Sequence, residues 1–197
     1  MDMDFGLDYS CLAADPQFAA LAQALSAQTR IDSRAAFNRF CRRACRVWQE
    51  QFGPEENAPH AQFDALLSRV MLGGDGVIRA AWGGVVVTLH APPRVEKYLV
   101  VRRGAFLALE KHAEKDEHLE VREGRGLLLF RRAAPPILTV QALAPGDRFH
   151  FAPGVEHCVI GTDDLLVFEH GVDPKGMDQD LLFLYEPELP FGDTSPL

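Results

Sequence analysis

Residues 104–124 read GAFLALEKHAEKDEHLEVREG, and residues 146–161 read GDRFHFAPGVEHCVIG. In the first stretch Glu110 and His112 lie two apart, so on a strand they point to one face. Glu117 follows a short charged turn at the head of the next strand, on the face that Leu119 and Val121 share. In the second stretch His157 stands two positions before Val159 and shares its face. Four potential ligands thereby fall on the apolar sides of strands, where an unpaired carboxylate is costly. A divalent cation would satisfy all four at once. Two imidazoles and two carboxylates suit an octahedral first-row ion such as Mn, Fe, Co or Ni, with two positions left for water or substrate; tetrahedral Zn suits them less naturally.

Working outward, the chain changes texture near residue 75. Between Val77 and Glu169 it reads as ten short strands, separated by turns such as Gly83-Gly84, Pro92-Pro93, Pro145-Gly146 and Asp163-Asp164. Many short strands with turns every 8–12 residues or so point to an all-β sandwich or barrel. Upstream, residues 1–75 carry apolar residues at helical spacing. The first of three expected helices starts at Asp15-Pro16, as N-cap and first helical position, and presents Phe18, Leu21, Ala22 and Leu25. The second is opened by Ser33 and runs to Gly53-Pro54. The third runs from about Pro59 through Phe63, Leu66, Leu67 and Val70 to Gly73-Gly74. Downstream of the strand region (76–172), residues 173–197 form an acidic extension in which Leu181–Tyr185 adds an edge strand or packs on the barrel. The last half-dozen residues, with Pro190 and Pro196 nearby, are expected to be loose.

Composition bounds the function. Twenty Lys and Arg against 28 Asp and Glu give a net charge of −8. That balance argues against nucleic acid or an anionic membrane as partner, because both demand a basic surface. A chain that is 47% hydrophobic and 24% charged carries enough apolar mass for a core. No apolar run approaches the roughly 20 residues that span a bilayer. The four cysteines, Cys11, Cys41, Cys45 and Cys158, show no CxxC spacing and fit a reducing, cytoplasmic setting. Cys41 and Cys45 sit one helical turn apart, read as small buried side chains rather than as two metal ligands. Arg39, Arg42, Arg43 and Arg46 form a stripe on the second helix, read as a solvated face paired with carboxylates.

Gly104, Glu110, His112, Glu117 and Gly124 resemble the first motif of the cupin superfamily, Gly-x5-His-x-His-x4-Glu-x6-Gly, with Glu110 in the place of the first His. Gly146, Ala152, Gly154 and His157 resemble its second motif, Gly-x5-Pro-x-Gly-x2-His-x3-Asn. Here Ala152, beside Pro153, replaces the Pro, and Gly161 replaces the Asn. The resemblance implies a mainly β protein, a jelly-roll barrel preceded by the three-helix segment. It places Glu110, His112, Glu117 and His157 at the four metal-ligand positions.

A wider likeness, carried by Trp82-Gly83-Gly84, Lys97 and Lys115-Asp116-Glu117, is to cupin-type sugar and sugar-phosphate isomerases of the lyxose, mannose-phosphate and glucose-phosphate groups. In those a Lys in the strand before the first motif lies near the substrate, and Lys97 matches it. The likeness implies a metal-dependent aldose–ketose isomerase acting on a small molecule of the sugar class. Glu117 would then be base or ligand-and-base, with Lys97 stabilising the developing enediolate. His170, on the strand after Val167-Phe168-Glu169, would be a further substrate contact. His118 and Glu120 have the opposite parity to Glu117 and face away; His150, between Phe149 and Phe151, is not assigned a face. The same residues also suit an Fe(II) dioxygenase, or a non-enzymatic small-molecule-binding cupin whose helices serve oligomerisation. Cupins often pair through their sheets, so a homodimer is expected.

Overall fold

A computed structural model describes residues 4–53, 60–131 and 134–188. The expected strand region forms two sheets. The strands are β3 (Val77–Ala80), β4 (Gly83–Ala91), β5 (Arg94–Val101), β6 (Leu109–His112), β7 (Asp116–Glu123), β8 (Gly126–Arg131), β9 (Ile137–Leu143), β10 (Arg148–Phe151), β11 (His157–Gly161), β12 (Leu165–Val172) and β13 (Leu181–Tyr185), preceded by β1 (Phe5–Asp8) and β2 (Arg30–Ile31). Sheet one runs β13-β6-β11-β8-β9-β1-β2, and sheet two runs β10-β7-β12-β5-β4-β3. From β5 to β8 and from β9 to β13 successive strands alternate between the sheets, which curl into the jelly-roll barrel that the motifs imply.

Strand parity sorts side chains into three buried layers. Val85, Leu99, Val101, Leu119, Val121, Leu128, Val159 and Val167 point inward and fill the barrel. Their neighbours Val86, Val100 and Leu166 point outward beneath α4 (Ala61–Leu72), against Phe63, Leu66 and Val70. Leu127, Leu129, Cys158 and Ile160 point outward from sheet one beneath α3 (Arg34–Phe52), against Phe40, Cys41, Ala44 and Trp48. Covered on both faces, the strands read as continuous apolar runs such as Leu127–Phe130.

The N-terminal third departs from three simple helices. The first expected helix is two, α1 (Ser10–Ala14) and α2 (Ala19–Leu25). Asp15, in extended geometry, ends α1, and its Oδ1 accepts from the Gln17 amide at 2.9 Å. Such a local side-chain turn, followed by a Pro without an amide hydrogen, separates the helices. Ser33 caps α3 as expected, accepting from the Ala36 amide, and Gly53 and Gly73 end α3 and α4. Pro54, Pro59, Pro190 and Pro196 lie outside the described residues. Two strands were not anticipated. β1 pairs in parallel with β9 and antiparallel with β2, which stitches the N-terminus into sheet one. No described helix is long and apolar enough to cross a membrane. Of the arginine stripe, Arg39, Arg42 and Arg46 are exposed and Arg43 donates to the Ala24 carbonyl.

Gly124, between β7 and β8, has φ +78°, and a Cβ there would stand 1.9 Å from the Asp164 carbonyl oxygen. Gly124→Ala is therefore expected to cost about 2–4 kcal/mol in urea denaturation, from left-handed strain plus a backbone clash; an unchanged midpoint contradicts this reading of the turn. Deleting residues 1–75 strips both outer apolar layers and is expected to give an aggregated product in size-exclusion chromatography. A soluble monomeric fragment with the melting temperature of the full chain would show instead that the helices are an independent module.

Candidate metal and acid–base site

The site assembles on the inner ends of five strands. Glu110 and His112 share the inward face of β6, while Leu109 packs outward into the α3 layer. His157 on β11 pairs directly with Glu110 across the ladder. Glu117 heads the inward row of β7 that continues through Leu119 and Val121. Lys97 of β5 and Glu169 of β12 are register partners and also point inward. These residues line a cavity of about 510 Å³ whose apolar wall includes Trp82, Val85, Leu99, Leu107, Leu119 and Val159. That volume suits a small molecule.

Glu117 is the hub. Its Oε2 lies 3.2 Å from His112 Nε2 and its Oε1 lies 3.4 Å from His157 Nε2. Lys115, fully buried, places Nζ 3.2 Å from Glu117 Oε2, pairs closely with Glu169, and reaches Asp178 Oδ1 at 2.7 Å. Lys97 Nζ stands 3.0 Å from Glu169 Oε1 and pairs closely with Asp178. Both rings are oriented from behind. His112 Nδ1 meets Asp180 Oδ1 at 2.9 Å, and His157 Nδ1 meets the Val155 carbonyl at 3.1 Å with the Phe151 ring stacked on it at 4.4 Å.

Asp178 and Asp180 come from the segment after β12. Gly176, Met177 and Asp178 all have positive φ, of 77°, 49° and 58°. Such backbone persists when its surroundings over-determine it. Here the buried Asp173 carboxylate accepts from the Gly176 and Asp178 amides at 2.8 and 2.9 Å. Asp180 Oδ2 in turn accepts from the Glu114 and Lys115 amides at 2.7 and 2.8 Å, tying this segment to the β6–β7 turn.

Electrostatics separates the carboxylates. Burial works against charge on Glu117, but His157, His112 and Lys115 outweigh it and hold the group well below the usual carboxylate range. Burial likewise opposes charge on His157, yet Glu117 and Glu110 raise it to about 9. Asp178 is lowered to about 2 against burial by Lys97 and Lys115. Glu110 behaves differently: burial raises it to about 7, with His157 pulling the other way. Its carboxyl makes no hydrogen bond or ion pair with another described residue, and the half-buried side chain faces the cavity.

Of the residues read from sequence, Glu110, His112, Glu117, His157 and Lys97 all line this cavity. The arrangement differs from four ligands around a vacant centre. The two rings approach Glu117 itself, with centroids 6.4 Å apart, and Lys115 shares the same carboxylate. His170 does not join them: it is exposed on the outer face of sheet two, paired with His118, because its parity is opposite to that of Glu169. His118 faces outward as expected, and His150 joins it there. Four interior residues were missed. Alternation with Val167 placed Glu169 inside, so its signal was present; Lys115, Asp178 and Asp180 sit in irregular segments that carry no periodicity.

The donor set fits a divalent cation. Both imidazoles present Nε2 inward with Nδ1 already engaged by a carboxylate or carbonyl, the arrangement that ligating histidines adopt.

No family model matches the chain, and no curated protein does. Among solved structures, it resembles the capsular polysaccharide assembling protein CapF from Staphylococcus aureus at 17% identity and a TM-score of 0.49, over 55% of this chain and 34% of that one. KdgF from Halomonas sp. shares 19% identity with a TM-score of 0.40, over 50% of this chain and 80% of that one. An uncharacterized protein with a double-stranded β-helix domain from Klebsiella pneumoniae shares 18% with a TM-score of 0.42, over 59% and 92%. The chain spans about a third of the length of CapF. These likenesses accompany a fold that strand order and register define on their own: a mainly β jelly-roll barrel of the cupin type with helices at its N-terminus.

Proposed function

We propose that the barrel cavity is a divalent-metal-dependent active site that moves a proton between adjacent carbons of a small polyhydroxylated carbonyl compound, an aldose–ketose isomerase. The observation that carries this reading is Glu110, the unpaired carboxyl that faces the cavity and titrates near neutrality. A general base works best when its pKa lies near the operating pH. Glu117, the sequence's candidate base, is held ionised by two imidazoles and Lys115, which suits it to anchoring instead. His112, Glu117 and His157 would hold the ion, with Glu110 beside them. When bound, the ion supplies Lewis-acid polarisation of the substrate's carbonyl and adjacent hydroxyl oxygens.

The chain's own residues would do the rest. Glu110 takes the proton from C2 and returns it to C1, while a second proton passes from the C2 hydroxyl to the C1 oxygen, so atoms balance and nothing is oxidised overall. Lys97 and Lys115, kept charged against burial by Glu169 and its neighbours, offset negative charge that develops on the two oxygens. The apolar wall from Val85 to Val159 lowers the local dielectric, which strengthens these electrostatic contacts.

The test is solvent-deuterium incorporation at C1 or C2 of aldoses, ketoses and their phosphates, followed by NMR with metal-supplemented protein. Interconversion with exchange is expected, and Glu110→Gln should lower the rate about 10²–10⁴-fold. Full activity in that variant, or oxygen uptake coupled to product, overturns the proposal. Metal affinity supplies a second check. His157, one of the three ligands, must shed the proton that it holds below about 9. Affinity is therefore expected to rise about tenfold per pH unit between pH 6 and 9, with proton release in calorimetry; a flat profile contradicts that ligand set.

A further inference from the structure

The outer face of β7 carries a second constellation, on the opposite side of the strand from Glu117. Register pairs His150 of β10 with His118 of β7, and His118 with His170 of β12. Three imidazoles thus stand in one row across sheet two. The His118 ring stacks on His150 at 4.4 Å and 12°, and on His170 at 5.1 Å and 8°. Asp116, two residues before His118, shares its face. Its two oxygens lie 3.0 and 2.9 Å from His150 Nε2, and Oδ1 lies 3.4 Å from His118 Nε2.

We infer that Asp116, His118 and His150 form a transition-metal site on the surface of the protein, separate from the barrel cavity. One ligand atom from each lies within 4.8 Å of the others. Donors bound at about 2.0–2.1 Å around a tetrahedral ion stand about 3.3 Å from one another. Both imidazole–carboxylate separations already bracket that value. The three residues sit on ladder-paired strands, so the donors are positioned by the sheet rather than by a loop.

Charge favours an ion here. Among the described residues, the Asp116 carboxylate has only imidazoles as partners, and no Lys or Arg competes for it. The neighbouring Glu120 is engaged by Arg122 and Arg148 at 3.1 and 3.3 Å. α4 packs over Val86, Val100 and Leu166, and His150 and His170 remain exposed, so ions have access. Two imidazole nitrogens and one carboxylate, with positions left open, suit Zn(II), Ni(II) or Cu(II) rather than Ca(II) or Mg(II).

The test uses the full chain with Zn(II) in equilibrium dialysis and Cu(II) in electron paramagnetic resonance. The proteins compared are wild type, the outer-face variant His118→Gln/His150→Gln and the barrel variant His112→Gln/His157→Gln. Expected are one fewer equivalent of Zn in the outer-face variant and retention of that equivalent in the barrel variant. The Cu spectrum of the barrel variant should show coupling to two nitrogens and lose it when His118→Gln/His150→Gln is added to that variant, with affinity falling at least about 100-fold. His150→Gln alone, at an exposed edge-strand position, gives the same loss if the double variant is unstable. Unchanged stoichiometry in the outer-face variants, or no Zn bound by the barrel variant, overturns the inference. Loss of metal confined to the barrel variant speaks to the cavity alone and also overturns it.

Discussion

The Glu117 carboxylate is the point on which the interior depends. A carboxylate inside a barrel is stable only when neighbouring groups replace the water it has lost. Here two imidazoles and the Lys115 ammonium surround it, and each is itself held: His112 by Asp180, His157 by the Val155 carbonyl, Lys115 by Glu169 and Asp178. Removing one member of a buried ion pair costs about 3–5 kcal/mol, because the other charge is left without a partner. The segment from Asp173 to Asp180 is therefore part of the site's electrostatics: it delivers two carboxylates and is pinned to the β6–β7 turn by backbone hydrogen bonds.

This network also explains why one carboxyl stands apart. Glu110 occupies a position beside His157, yet the basic groups in the cavity are already committed to Glu117, Glu169 and Asp178. Left without a partner, it is the group whose charge state burial decides. Two consecutive strands, β6 and β7, thus present a group able to exchange a proton and a fixed anion, two roles set by surroundings rather than by residue type.

Much of this was legible in the chain because strand parity is a local property. The two-residue spacing of Glu110 and His112, and the places of Glu117 beside Leu119 and of His157 beside Val159, fixed which side chains enter the barrel. The same parity turned His118 outward. It also turned His170 outward, against its reading as a substrate contact, since Glu169 is the inward residue of that pair. Lys115, Asp178 and Asp180 were not legible: they enter through a turn and a segment with left-handed backbone at Met177 and Asp178, where no period connects sequence to direction. Nor was β1, whose four residues gain their strand character by pairing with β2 and with β9, the latter more than a hundred residues away.

The most direct test of the central claim is anomalous diffraction from crystals of the protein loaded with Mn(II). The account predicts a peak inside the barrel, about 2.0–2.4 Å from Nε2 of His112 and His157 and from a Glu117 oxygen. Density showing Lys115 still against Glu117, with no anomalous peak among these side chains, would contradict it.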